Sequence, residues 1–191
     1  ITLPATRGWA ASADYIALLV ETLLERKPSL VVDLGSGLTA VWMALAAKAH
    51  GLETRIVSFD HDPTYAASTR DLLARCGVTD YAEVREAPLA PITGVDGAEP
   101  DVPWYALASF EDLDGIELVS VDGPPQVGHP HARQPALPVL ITKLAPQCVV
   151  LLDDTERSDE QDAIADWITR FPGFQRTDYA LEKGATRLTR G

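Results

Sequence analysis

Cysteine, positive charge and long apolar runs are all scarce in this sequence, and each shortage excludes a class of protein. The two cysteines, Cys76 and Cys148, lie far apart and lack the spacing of a metal-binding motif. With no signal peptide evident, they indicate a reduced and therefore cytoplasmic protein. No apolar segment approaches the roughly 20 residues that a helix needs to cross a bilayer, so we expect no membrane partner.

Basic residues number 16 against 28 acidic ones, which gives a net charge of -12. Because the basic residues form no cluster, we expect no nucleic-acid partner. The 191 residues, 46% of them apolar, predict a single domain over 1–191, in which 1–28 form a helical segment packed on the rest. The chain starts with Ile1 rather than Met, so a longer parent protein is one open interpretation. A homodimer is another.

Buried strands are predicted from apolar runs at 30–34, 55–60, 83–87, 116–122 and 148–154. Residues 90–103, rich in proline, glycine and acidic residues, predict a surface loop. The C-terminal segment predicts a β-hairpin that turns at Lys183-Gly184. Strands that are apolar on both faces and separated by helices indicate an α/β fold, a doubly wound Rossmann-like sheet in a three-layer αβα sandwich. Such sheets bind ligands at the carboxyl ends of their strands.

Helices are predicted between these strands from apolar spacing and end signals. The first runs over 12–27 with Ser12 as its N-cap, and the third follows an N-cap at Asp62. The others are predicted at 39–50, near 132–144 and at 158–171, the last with a capping box of Ser158 and Gln161.

The stretch VVDLGSGLTA, residues 31–40, joins a strand to a helix through a glycine turn that is typical of nucleotide sites. Its glycines fit the permissive dinucleotide pattern G-x-G-x-x-A, and Asp60 follows at about the distance of a ribose-binding acid. Asp33, however, precedes the turn. At about 4 Å it would repel a pyrophosphate by about 4 kcal/mol at an effective dielectric of 20. S-adenosylmethionine carries an ammonium and a sulfonium but no phosphate, so its charge suits this aspartate.

The segments VVDLGSG and VSFDHDP resemble motifs I and II of the class I S-adenosylmethionine-dependent methyltransferases. Three more segments resemble a bacterial branch of small O-methyltransferase-like domains: WAASADYIALLVE, VSVDGPP and VLLDDTERSDE. The likeness extends from Gly8 to Arg190. It implies a seven-stranded, mostly parallel sheet whose last strand is antiparallel.

The resemblance also implies how the cofactor is held. Asp33 and the backbone of Gly35, Ser36 and Gly37 would hold the methionine part of S-adenosylmethionine. Farther along, Asp60 would bind the ribose hydroxyls, His61 would lie beside the adenine, and Glu86 with Ala87 would flank the adenine edge.

Acidic residues follow the fourth and fifth predicted strands, Asp122 after one and Asp153-Asp154 after the other. In the metal-dependent O-methyltransferases that the chain resembles, an aspartate and an Asp-Asn pair at these places hold a divalent cation. The resemblance therefore implies an Mg²⁺ or Mn²⁺ site, with Asp154 standing where that pattern has asparagine. Carboxylate oxygens are suitable ligands for both ions. Acids at strand ends also cap loops and helices, which is the alternative interpretation.

Catalysis of O-methylation needs a group that takes the acceptor proton. Asp122 is the first candidate, as base or as metal ligand. The proline-rich loop GPPQVGHPHARQPALP supplies a second, His131, whose unperturbed pKa of about 6.5 suits a general base. Arg133 in the same loop has three candidate partners: an acidic acceptor, Asp153 or Glu156.

These inferences predict an S-adenosylmethionine-dependent methyltransferase that acts on an oxygen of a small-molecule or sugar-like acceptor. Two alternatives stay open at the level of sequence. The glycine pattern permits an NAD(P)-dependent oxidoreductase, and the fold permits a non-catalytic module that binds a cofactor without turnover.

Overall fold

A computed structural model describes residues 11–98, 102–126 and 129–191. The helices in these ranges are α1 (Ala13–Arg26), α2 (Leu38–His50), α3 (Pro63–Cys76), α4 (Ala136–Leu140) and α5 (Ser158–Arg170). The strands are β1 (Leu30–Leu34), β2 (Arg55–Asp60), β3 (Ala82–Glu86), β4 (Leu89–Pro91), β5 (Pro103–Tyr105), β6 (Ile116–Val121), β7 (Leu144–Asp153), β8 (Gln175–Tyr179) and β9 (Ala185–Arg190). Within the same ranges, each helix is too short or too polar to cross a membrane.

Seven strands form one sheet in the order β3-β2-β1-β6-β7-β9-β8. The first five pair in parallel, and β9 runs antiparallel to both β7 and β8. This arrangement confirms the predicted α/β fold with an antiparallel last strand. It also confirms the C-terminal hairpin.

Both faces of the sheet are covered, as the apolar strands predicted. Along β1, Val31 belongs to a core cluster with residues of α1, α2 and α3, whereas Val32 belongs to one with residues of α4 and α5. The same alternation occurs at Leu118 and Val119 of β6. Side chains of a strand point alternately to its two faces, so each of these strands contributes residues to both hydrophobic cores.

The N-terminal helix α1 is fixed to the sheet through Tyr15. Its hydroxyl is fully buried, donates a hydrogen bond to the carbonyl oxygen of Leu151 at 3.2 Å and lies 3.2 Å from Ser120 Oγ. Ser12 caps the helix by accepting from the Tyr15 N–H at 3.4 Å, as predicted. Residues 1–10 of the predicted N-terminal segment lie outside the described residues.

The segment predicted as a loop over 90–103 instead begins and ends in strands. Ala90 of β4 pairs with Trp104 of β5 in a two-stranded antiparallel sheet. Trp104 is fully buried and stacks on Phe110, which in turn stacks on Phe59 of β2. The loop prediction is confirmed for residues 92–98 and 102, which lie outside helices and strands, and it is wrong at residues 90–91 and 103, because composition alone did not show that these two ends pair.

Two helix predictions were also inaccurate at their ends. Only Ala136–Leu140 is helical in the predicted segment 132–144, because turns precede it and Pro135 can stand only at a helix start. Helix α5 begins at Ser158 with Arg157 at the N-cap position, so the predicted capping box does not form. Gln161 Nε2 donates to the Thr155 carbonyl oxygen at 2.5 Å instead.

Candidate functional site

The glycine turn after β1 lies at the carboxyl end of the sheet. Gly35 and Gly37 have φ angles of +102° and +138°, a region that side chains rarely adopt. A Cβ on Gly35 would lie 3.0 Å from the Gly123 nitrogen and 3.1 Å from the Asp122 carbonyl carbon. A Cβ on Gly37 would meet no atom within 4 Å. The turn is therefore tightly packed against the end of β6 at its first glycine and open at its second.

Asp33, at the end of β1, is fully buried. Its Oδ2 accepts hydrogen bonds from Ser58 Oγ at 2.7 Å and from Thr39 Oγ1 at 3.0 Å, which tie β1 to β2 and α2. Its Oδ1 has no hydrogen-bond partner among the described residues. Burial raises the pKa of this carboxyl to about 6, although the hydroxyl of Ser58 lowers it in part.

Asp60 connects the end of β2 to the glycine turn. Its Oδ2 accepts from Ser36 Oγ at 2.5 Å, and its Oδ1 accepts from the Asp62 N–H at 3.0 Å. The Nδ1 atom of His61 lies 3.6 Å from Asp60 Oδ1. The carboxylate is thus fixed in place, and each oxygen retains a further lone pair for a ligand.

The end of β3 comes next to Asp60, because Glu86 is its partner in the β2–β3 register. The buried Ala87 donates its N–H to the Asp60 carbonyl oxygen at 2.8 Å. The Glu86 side chain is half exposed and pairs with Arg70 Nη1 at 2.7 Å. The residues that the sequence predicted around a nucleoside are therefore neighbours at one edge of the sheet.

Asp122, Asp153 and Asp154 also come together, as the sequence predicted. Each offers one carboxylate oxygen, and these oxygens lie within 4.8 Å of one another. Burial raises the pKa of Asp122 to about 7, with Arg133 lowering it and Asp154 raising it. Burial and the neighbouring carboxylates raise the pKa of Asp153 to about 7 as well.

Arg133 lies among these acids, where the sequence did not clearly place it. Its Nη2 donates to Asp154 Oδ2 at 2.9 Å and to Asp122 Oδ1 at 3.1 Å. Its Nη1 donates to the carbonyl oxygen of Asp153 at 3.1 Å and lies 3.5 Å from Glu160 Oε1. Two of these contacts bear on the partners considered from the sequence. Asp153 accepts a hydrogen bond from Arg133 through its backbone carbonyl and not through its carboxylate. The described residues show no ion pair between Arg133 and Glu156.

His131, the second predicted base, lies on another side of the loop. Its N–H donates to Asp159 Oδ2 at 3.1 Å, and its φ of +57° is left-handed. The residue lines a surface cavity with Gln134 and Asp166. No hydrogen bond or ion pair among the described residues joins His131 to Asp122, so its predicted catalytic role has no supporting contact here.

Tyr105, in strand β5 of the two-stranded sheet, is a site residue that the sequence analysis missed. Its side chain is buried, and a Cβ on Gly123 would collide with its hydroxyl. Burial raises its pKa well above the usual value, and the charge of Asp60 raises it further. The only feature of the sequence that could have predicted this role is the aromatic pair at 104–105, which follows a polar segment. That pair did not indicate which part of the protein it would contact.

Residues 32–155 match a family model described as a methyltransferase domain. No curated protein matches the sequence.

Solved structures of methyltransferases have a similar fold. A methyltransferase from Geobacter sulfurreducens is 18% identical, with a TM-score of 0.66 over 94% of this chain and 79% of that one. The O-methyltransferase TomG from Streptomyces achromogenes, in complex with SAM, is 18% identical, with a TM-score of 0.68 over 96% and 82%. An O-methyltransferase from Bacillus cereus, in complex with SAH, is 16% identical, with a TM-score of 0.70 over 99% and 84%.

Proposed function

This chain belongs to the methyltransferase domain family, and we propose that it transfers the methyl group of S-adenosylmethionine to an oxygen of a small-molecule acceptor. The observation that carries the proposal is the contact between the glycine turn and the end of β6. Gly35 packs on Gly123 and on the Asp122 backbone, so a cofactor on the turn would lie beside the Asp122 carboxylate.

The residues of the turn fit this cofactor in charge and shape. Asp33 has a buried oxygen without a partner, Asp60 has fixed oxygens at the neighbouring strand end, and the space next to Gly37 is open. The Asp33 carboxylate next to the turn disfavours a pyrophosphate and favours a positively charged ligand. The relatives named above in complex with SAM and SAH give independent support.

When bound, S-adenosylmethionine supplies a methyl group on a sulfonium; transfer to a hydroxyl oxygen breaks the carbon–sulfur bond and releases the hydroxyl proton. We assign Asp122 as the group that accepts that proton. Its side chain is 14% exposed, whereas that of Asp154 is 5% exposed and Asp153 is fully buried. Arg133 holds one Asp122 oxygen and leaves the other for the acceptor. A base with a pKa of about 7 is well matched to neutral pH.

Titration calorimetry with S-adenosylhomocysteine and with NADH tests the cofactor. We expect S-adenosylhomocysteine to bind and NADH not to bind, because Asp33, which precedes the turn, repels a pyrophosphate. Binding of NADH alone would identify the chain as the oxidoreductase of the alternative interpretation.

Asp60→Ala should weaken S-adenosylhomocysteine binding by about 2–3 kcal/mol, the scale for losing hydrogen bonds to a charged group. Ser36→Ala is the matched control, because it removes a protein partner of Asp60 and leaves the carboxylate in place. We expect a much smaller loss for Ser36→Ala. Equal losses would show that Asp60 only supports the turn.

Methyl-labelled S-adenosylmethionine, incubated with a panel of small hydroxylated compounds, tests turnover. Transfer to an acceptor that Asp122→Asn abolishes supports the proposed base. Binding of S-adenosylhomocysteine without transfer to any compound of a broad panel would favour the non-catalytic module.

A further inference from the structure

A positive charge already lies at the centre of the three strand-end carboxylates. The Arg133 guanidinium is buried, and a single nitrogen, Nη2, contacts both Asp154 Oδ2 at 2.9 Å and Asp122 Oδ1 at 3.1 Å. Its other terminal nitrogen binds the carbonyl oxygen of Asp153 at the end of β7. The guanidinium therefore bridges the ends of β6 and β7.

The backbone that carries this guanidinium is fixed by its neighbour in the chain. Gln134 Nε2 donates to Asp166 Oδ2 at 2.9 Å and to the Gly97 carbonyl oxygen at 2.7 Å. The Gln134 carbonyl oxygen accepts from Trp167 Nε1 at 2.7 Å. Because α5 and the segment after β4 hold residue 134, the backbone of Arg133 is fixed beside the acids.

A divalent cation held by Asp122 Oδ1 and Asp154 Oδ2 would compete with this guanidinium for the same place. Mg²⁺ or Mn²⁺ binds carboxylate oxygens at about 2.0–2.2 Å, so an ion between Asp122 Oδ1 and Asp154 Oδ2 would lie against Nη2. Two cations at that separation repel each other strongly in a buried site. The residues present do not fit the metal that the resemblance implied, as long as Arg133 keeps these contacts.

The surrounding charges suit a cation that belongs to the protein. Glu160 Oε1 lies 3.5 Å from Arg133 Nη1, which adds a carboxylate on the side away from Asp122. Asp154 has two further cationic neighbours, Arg157 Nη1 at 2.9 Å and Lys183 Nζ at 3.6 Å. Side chains of this protein thus supply the positive charge around the cluster.

We propose that the Arg133 guanidinium takes the place of a divalent cation in this site and holds Asp122 for the acceptor, so that the protein works without a metal. This inference rests on the proposed methyltransferase function. Arg133 is a positioning residue, since it acts through Asp122. A substrate of this site is then a hydroxyl compound that needs no chelation by a metal, so a single hydroxyl suffices.

The test measures the binding of Mn²⁺ directly. The electron paramagnetic resonance signal of the free ion reports how much Mn²⁺ is unbound. Wild-type protein should leave the signal unchanged. Arg133→Met removes the guanidinium and should gain an Mn²⁺ site, because Asp122 and Asp154 then lack the cation that lies between them. Adding Asp122→Asn to Arg133→Met should abolish that gain. Arg133→Gln, whose amide can still donate to the acids, serves as a second variant if Arg133→Met does not fold, and it should gain Mn²⁺ binding too.

Two results would overturn the proposal: Mn²⁺ binding by the wild type that Asp122→Asn removes, or no Mn²⁺ binding by a folded Arg133 variant. The methyltransferase proposal fails separately. It fails if S-adenosylhomocysteine does not bind to the wild-type protein, a result that leaves the Mn²⁺ outcomes unaffected.

Discussion

Arg133→Met should lower the free energy of unfolding by about 3–5 kcal/mol, the usual loss when a buried ion pair loses one partner. The buried guanidinium lies within 3.5 Å of a carboxylate oxygen of each of three acids, namely Asp122, Asp154 and Glu160. Methionine fills much of the same volume but leaves these acids without their shared partner. Urea unfolding at neutral pH measures the change.

Arg157→Met is the matched control for this variant. Arg157 Nη1 contacts Asp154 Oδ2 at 2.9 Å, the same distance at which Arg133 Nη2 contacts that oxygen, but the Arg157 side chain is 45% exposed. Exposed ion pairs contribute up to about 1 kcal/mol, so the control should lose far less stability. Similar losses for the two variants would show that burial of Arg133 has no special role.

Asp33→Asn should remove a pH-dependent loss of about 3 kcal/mol from the free energy of unfolding. Each unit by which a pKa differs between the folded and unfolded states corresponds to about 1.4 kcal/mol. The pKa of Asp33 is raised from 3.8 to about 6 in the folded protein, chiefly by burial. Below about pH 4 the carboxyl is protonated in both states, whereas between about pH 4 and 6 the folded state alone retains the proton. The wild type therefore loses stability as pH rises through this window.

Asparagine does not titrate, so the stability of Asp33→Asn relative to the wild type should rise between about pH 4 and pH 7. Urea unfolding of both proteins across this range measures the difference. Asp62→Asn is a control whose difference from the wild type should stay flat over this range, because hydrogen bonding by the Thr64 N–H lowers the pKa of that exposed helix cap and the carboxylate is ionised in both states above about pH 4. A flat difference for Asp33→Asn would show that this carboxylate is ionised in the folded protein at no loss of stability.

The same variant tests what Asp33 does for the cofactor. If its unpartnered oxygen faces the positive end of the ligand, Asp33→Asn weakens binding of S-adenosylmethionine and leaves adenosine nearly unaffected. Equal losses for both ligands would assign Asp33 to the turn, where Thr39 and Ser58 already hold it.

Local signals were sufficient for the layered α/β class, and the resemblance to a family implied the seven strands with an antiparallel last strand. Strands that are apolar on both faces, such as β1 and β6, can only be buried between two layers of helices, and this requirement predicted the sheet. Ser12 and Asp62 marked helix starts, because their side chains satisfy backbone N–H groups that have no other partner. The glycine turn and the acids at the strand ends were also local features, and the parallel sheet brings them together at one edge.

Only the tertiary structure decided which groups meet across that edge. The contacts of Arg133 with Asp122 and Glu160, and of Tyr105 with Gly123, join segments that are separate in sequence, and no periodicity records such pairs. Sequence determines the chemical type of each side chain and the strand end at which it lies. The proline-rich loop that carries Arg133 packs on α5, and the β4–β5 sheet packs on β2. This packing sets the direction in which each side chain points. The carboxylates were therefore predictable from the sequence, whereas the cation among them became visible only in the folded chain.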